Sequence, residues 1–183
     1  MISRSPDREF RREWVLRLLD HDGFGGDEGG IERWLKLTDG LGLEREYVTS
    51  MQGALSATIF ATDGYLAFVR ERPFVSAVAT TLTELFTPKL HRDRLSAMLA
   101  SYDFVSDEML TYFKKRLTNA PRDASFALEY VINNANTKEE KEACIEAVKF
   151  KCNLLWFLLD ALNQAYILDK PPGGAFGSKE ASQ

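Results

Sequence analysis

The chain holds only two histidines, His21 and His91, and each has an arginine within one helical turn: Arg17 four residues before His21, and Arg94 three residues after His91. An imidazole exchanges protons near neutral pH, and a guanidinium matches a carboxylate in a two-pronged grip. Each pair therefore couples a proton carrier to an anion holder. Projected at about 100° per residue, the first helical segment has an apolar stripe of Phe10 and Trp14, flanked by Leu18. Arg17 and His21 fall at its centre. After Pro88, His91 lies between Leu95 and Met98, with Arg94 on nearly the same side. Arg116 is centred on the stripe of Met109, Phe113 and Ala120, with Tyr112 at its edge. Lys151 sits amid Cys144, Val148, Leu155 and Leu162.

Charges on apolar stripes need a reason, because burying an unpaired charge costs several kcal/mol or neutralises the group. A single long cation can snorkel to water. Four segments with the same pattern, including both histidines, point instead to one shared polar interior. Arg17, Arg94, Arg116 and Lys151 would make that interior cationic in an acidic chain, and so suited to a ligand with several carboxylates. His21 and His91 would move protons there, and Tyr65 and Tyr112 could donate hydrogen bonds. The segment PFVSAVATTLTELFTP carries one charge, Glu84, as expected for a buried helix whose glutamate partners a buried arginine. No serine or cysteine nucleophile with a neighbouring base is evident.

The elements that must position these residues read as all-α, since helical periodicity recurs and β-type alternation is scarce. Ser5-Pro6 reads as a helix start, with the helix running to about His21. Further helices are expected at roughly 31–39, 44–71, 74–86, 88–101, 106–119, 122–135 and 138–168, punctuated by Pro73, Pro88 and Pro121. Residues 24–30 form a Gly-rich loop without the spacing of a phosphate-binding loop, and so read as a turn between helices. A single domain is expected over 1–170, with a flexible tail at 171–183. The 183 residues are 45% hydrophobic and 27% charged, which argues against disorder. The net charge of −4, with no basic block, argues against nucleic acid. No apolar run is long enough for a membrane span. The charged N-terminal stretch lacks an apolar signal core, which leads to an expectation of a cytoplasmic protein. Cys144 and Cys152, about 12 Å apart along one helix, cannot form a disulfide with each other.

Five segments together resemble the pyrroloquinoline-quinone synthase family: PDREFRREWVLRLLDHDG at 6–23, GGIERWLKL at 29–37, LTELFTPKLHRDRL at 82–95, YFKKRL at 112–117 and FKCNLLWFLLDALNQAY at 150–166. The likeness runs from Pro6 to Pro172. It implies a haem-oxygenase-like helical bundle with a central polar cavity. The implied activity is an oxidase without metal or redox cofactor. It closes a ring and removes eight electrons from a tricarboxylated quinone precursor to give pyrroloquinoline quinone, with O2 as co-substrate and hydrogen peroxide released. By the same resemblance His21 is the catalytic base. His91, Tyr112 and Arg116 complete the catalytic set around oxygen or peroxide. Arg17, Tyr65, Glu84, Arg94 and Lys151 contact the substrate. A homodimer is also implied. The family ordinarily has about two helices ahead of the segment that here starts at Pro6, and these bring a tyrosine–histidine pair to the pocket. In their absence the pocket is expected to be open on one side.

Two other functions compete. A non-haem iron oxidase of the same fold would use His21, His91 and Glu84 as ligands, although no Glu-x-x-His pair supports a di-iron site. A truncated, non-catalytic protein that binds the quinone would bind without taking up oxygen.

Overall fold

The computed structural model describes residues 1–171. A short 3-10 turn at Ile2–Arg4 precedes α1 (Arg8–Asp22). The cap of α1 is Asp7, whose carboxylate accepts from the Glu9 N–H at 2.8 Å. The start signal at Ser5-Pro6 is thus displaced by two residues, and the Ser5 hydroxyl instead accepts from the Asp7 N–H at 3.2 Å. α1 ends at Gly23, with φ of 88°. The loop doubles back so tightly that a Cβ on Gly29, itself at φ 84°, would lie 2.5 Å from the Gly23 nitrogen and the His21 carbonyl. Glycine is required at both positions. The loop is the expected turn, and it starts α2 (Gly29–Gly40) directly against the end of α1.

The helix expected over 44–71 is two helices, α3 (Arg45–Ser50) and α4 (Ser56–Glu71). Met51 adopts a left-handed conformation at φ 58° and closes α3, and the Tyr47 side chain folds over Gly53. The expected helix at 74–86 begins as α5 (Phe74–Ala79) and tightens into a 3-10 helix at Thr80–Phe86. Threonine hydroxyls explain the tightening. Thr80 donates to the Ala77 carbonyl at 2.6 Å and Thr81 to the Val78 carbonyl at 2.8 Å, which competes with the α-helical ladder. α6 (Thr87–Ser101) carries Pro88 in its first turn, as the sequence indicates.

The segments expected at 106–119 and 122–135 are one helix, α7 (Thr111–Asn134), and Pro121 lies inside it. Pro121 removes one backbone donor, yet it is exposed while Asn119, Ala120, Asp123 and Ala124 around it are buried. Packing on both sides keeps the axis continuous. α8 (Lys138–Tyr166) opens with a capping box, in which Thr137 accepts from the Glu140 N–H at 3.1 Å and Glu140 accepts from the Thr137 N–H at 3.0 Å.

The main core brings Phe10 of α1 against α5, α7 and α8 through Val78, Ala79, Ala127, Val131, Cys144 and Ala147. The small residues let the helix axes approach closely. Phe10 is fully buried in an aromatic cage, with centroids of Trp14, Tyr130 and Phe74 at 4.7, 4.8 and 4.9 Å. A second cluster of Leu37, Met109, Leu110 and Phe113 joins α2 to the start of α7. The apolar stripe of α8 stops short of expectation: Leu155 and Leu162 are exposed, as is Leu18 of α1. Cys144 and Cys152 are both free. Among the described residues no strand forms beyond one bridge between Phe24 and Asp27, and no helix is long and apolar enough to cross a membrane. The expected tail at 171–183 lies, Pro171 apart, outside the described residues.

Phe10→Ala would empty the centre of the aromatic cage. A loss of about 3–5 kcal/mol is expected, seen as a lower urea midpoint by circular dichroism. A change below about 1 kcal/mol would mean that Phe10 is not central to the core.

Candidate functional site

The centre of the site is a set of ion pairs that joins three elements. Arg17 of α1 pairs with Glu84 of the 3-10 helix through Nη2 and Oε1. Arg116 of α7 reaches the other oxygen of Glu84 at 3.3 Å. Behind Glu84 lies Asp123, also on α7, with Oδ2 at 3.4 Å from Arg17 Nε and 3.6 Å from Arg116 Nη1. Both guanidiniums thus lie between the same two carboxylates. Arg17 and Arg116 side chains are only 14% and 12% exposed, so the pairing is set in a poorly solvated interior. Two atoms of the cluster lack hydrogen-bond partners, Arg17 Nη1 and Glu84 Oε2. The Arg17 guanidinium also lies over the Trp14 ring at 4.5 Å, which fixes its plane.

Tyr65 and Lys151 lie beside this cluster. The Tyr65 hydroxyl is 2.9 Å from Thr80 Oγ1, and burial raises its pKa above the usual tyrosine value. Lys151 Nζ sits 3.6 Å from the centre of the Tyr65 ring. Burial lowers its pKa, opposed by the field of Glu84. Among the described residues Lys151 forms no ion pair.

His91 and Tyr112 form the other side. Their rings approach edge-on with centroids 6.4 Å apart, and Phe113 lies 5.4 Å from His91. The Nδ1 of His91 is buried without a partner. Burial, followed by the charges of Arg94 and Arg116, lowers the His91 pKa to about 4. Arg94 is exposed and lies over the Phe113 ring at 5.4 Å.

His21, on the last turn of α1, is exposed and lies where two clefts meet. One cleft, of about 650 Å³, is walled by Trp14, Arg17, His21, Tyr65, Thr81 and Glu84. The other, of about 380 Å³, is walled by His21, Gly30, Trp34 and Tyr112. A small space of about 10 Å³, bounded by Asp20, His21, Tyr112, Arg116 and Asn119, adjoins the second cleft at His21 and Tyr112. Gly30 packs closely here: a Cβ there would lie 3.1 Å from His21 Nδ1, 3.3 Å from the Asp20 carbonyl oxygen and 3.5 Å from the Tyr112 ring. The Gly-rich loop therefore brings α2 close enough to back the imidazole.

Seven of the nine predicted residues are half-buried, whereas His21 and Arg94, expected to face inward, are exposed: His21 lies on the last turn of α1, and α6, which carries Arg94, has no buried residue. A second expectation also needs correction. The interior is not broadly cationic, because Arg17 and Arg116 are neutralised by Glu84 and Asp123. Asp123 was not among the predicted residues. Its signal was the spacing of seven from Arg116, two helical turns on one face, and a helix break at Pro121 hides it. Asp20 and Arg122, which pair with each other, extend the same network beside His21.

An all-helical bundle with two clefts around an imidazole and a buried guanidinium–carboxylate cluster defines the class of protein. The chain matches the TENA/THI-4/PQQC family over residues 1–161, and it belongs to that family. Its bundle is of the haem-oxygenase-like type. It is 56% identical over 176 residues to the pyrroloquinoline-quinone synthase of Rhodopseudomonas palustris strain TIE-1, covering 96% of this chain and 69% of the relative. It is 53% identical over 180 residues to the enzyme of that name from Bradyrhizobium diazoefficiens, covering 98% and 70%. The Gluconobacter oxydans protein of the same name is 51% identical over 176 residues, covering 96% and 74%.

The low pKa of His91 has a consequence for stability. The unfolded chain binds a proton at the ordinary histidine value of 6.5, whereas the folded chain does so near 4. Stability from this group is complete above pH 6.5 and is lost as pH falls from 6.5 towards 4. An NMR titration should find the His91 ring neutral at pH 5.5, and Arg94→Ala should move its pKa upward. A titration of His91 at its ordinary value would refute this account of its surroundings.

Proposed function

We propose that this chain is a pyrroloquinoline-quinone synthase that oxidises a tricarboxylated quinone precursor with O2, with no metal or redox cofactor of its own. The observation that carries the reading is the position of His21. It shares the larger cleft with Arg17, Tyr65 and Glu84, so a base and an anion-holding group face the same volume. A cleft of about 650 Å³ is in the range that accommodates a multi-ring ligand.

In this reading the precursor lies in the larger cleft with a carboxylate near Arg17, which lines it. Lys151, poorly solvated and without a carboxylate partner among the described residues, and Arg94 give further positive charge. His21 takes a proton from the substrate. Charges already in place stabilise the anion that develops, without the cost of turning solvent dipoles. His91, Tyr112 and Arg116 handle oxygen. Reduction of O2 to peroxide takes up two electrons and two protons, all released by the substrate as it is oxidised, and His91, held neutral, relays a proton from the substrate to the oxygen. The quinone itself carries the electrons, so the protein's tasks are orientation and proton transfer. A homodimer in the cytoplasm completes the reading.

The iron alternative requires His21, His91 and Glu84 to converge on one ion. Among the described residues no three His, Cys, Asp or Glu side chains gather at such separations, and Glu84 is engaged by two arginines. The binding-only alternative is separated by experiment.

When the protein is mixed with the precursor in air, product absorbance and peroxide should rise together. Binding without oxygen uptake would select the non-catalytic reading. His21→Ala should abolish turnover and leave the helical circular dichroism unchanged, and full activity in that variant would remove His21 from the mechanism. Arg116→Ala should impair turnover more than it lowers the melting temperature.

A further inference from the structure

We propose that Asp123 is a positioning residue, the fixed buried counter-charge that holds Arg17 and Arg116 in place, while Glu84 is their exchangeable partner. This rests on the proposed function for what the guanidiniums bind, but not for how Asp123 holds them.

The two carboxylates differ in surroundings. The Asp123 side chain is 3% exposed and borders neither large cleft. The Glu84 side chain is 24% exposed and lines the larger one. A ligand carboxylate entering that cleft meets Glu84 and Arg17 but does not reach Asp123. Asp123 therefore does not touch substrate, and whatever it contributes passes through the arginines.

Its own orientation is set from behind. Arg122 donates to Asp123 Oδ1 from Nη2 at 2.7 Å and from Nε at 3.1 Å. This leaves Oδ2 facing Arg17 and Arg116. Arg122 in turn pairs with Asp20, the residue before His21. A chain of charges thus runs from the base's own helical turn, through Arg122, to the carboxylate that holds both guanidiniums.

Two like charges from different helices meet in a poorly solvated interior only where a permanent opposite charge lies between them. If Glu84 were the sole counter-charge, releasing it to admit a ligand carboxylate would leave the guanidiniums repelling each other. With Asp123 in place, Glu84 can be exchanged for a ligand carboxylate while the spacing of Arg17 and Arg116 is kept. Arg116 and Asp123 meet across two turns of α7, so the continuation of α7 through Pro121 is part of the device.

The test uses the full chain, with pyrroloquinoline quinone as the probe for binding. Asp123→Asn should keep the helical circular dichroism and weaken quinone binding by about tenfold. The double variant Asp123→Asn/Arg17→Ala should bind no more weakly than Arg17→Ala alone, since Asp123 acts on the quinone through Arg17, the guanidinium that lines the cleft. Additive losses would overturn the proposal. Hydrogen exchange at the Nε–H of Arg17, which faces Asp123 Oδ2, followed by NMR without ligand, should accelerate in Asp123→Asn and not in Asp93→Asn, which breaks only the exposed pair with Lys89. Unchanged exchange in Asp123→Asn would equally overturn it. If the unaltered protein fails to bind the quinone, the functional reading falls while the exchange measurement still decides the role of Asp123. Should Asp123→Asn not fold, Arg122→Gln frees Oδ1 and should accelerate the same exchange, and no change there would overturn the proposal.

Discussion

Two guanidiniums from different helices cannot share a poorly solvated interior unless carboxylates lie between them, and this constraint organises the molecule. Arg17 comes from α1, Arg116 and Asp123 from α7, and Glu84 from the 3-10 helix between α5 and α6. Each ion pair joins elements far apart in the chain. Breaking a buried pair by removing one partner costs far more than an exposed pair is worth, because the remaining charge is left uncompensated. The relative placement of α1, α7 and the 3-10 helix is therefore tied to the integrity of the cluster, and so is the shape of the cleft above it.

The threonine-rich run before Glu84 serves the same end. An ordinary α-helix through residues 80–86 would place Glu84 about 100° per residue around the axis, whereas the tighter 3-10 winding sets it about 120° per residue. Thr80 and Thr81 favour the tighter form by donating to carbonyls three residues back. Thr80 also meets the Tyr65 hydroxyl, so the hydroxyl that shapes the backbone also orients a cleft residue. Local conformation and site geometry are thus coupled in one short segment.

Polarity is graded across the site. Asp123 is buried and saturated with arginines, Glu84 is half-open to the cleft, and His21 stands in solvent at the cleft junction. The two histidines consequently differ in character. Burial and neighbouring cations hold His91 neutral, whereas His21 sits where a substrate can reach it. The Gly23 and Gly29 turn makes this possible, because only backbones without Cβ atoms pass closely enough to start α2 behind His21.

From the sequence alone, the helical class, the nearly uncharged buried segment and the inward set of Arg17, His91, Arg116 and Lys151 were all legible. Amphipathic spacing is a local property, and a charge on an apolar stripe announces itself within a single helix. Even Glu84 could be read as an arginine's partner, since it is the lone charge in its segment. Only the tertiary structure decided how the charges pair. Asp123 was hidden because an interior proline reads locally as a helix break, whereas packing on both sides of Pro121 outweighed that local cost. The break after Ser50 and the 3-10 winding at Thr80–Phe86 also depend on side chains folding back over the backbone, which periodicity does not register. A charge's position along a helix is written in the sequence. Whether it stands alone or is neutralised depends on which distant element packs against it.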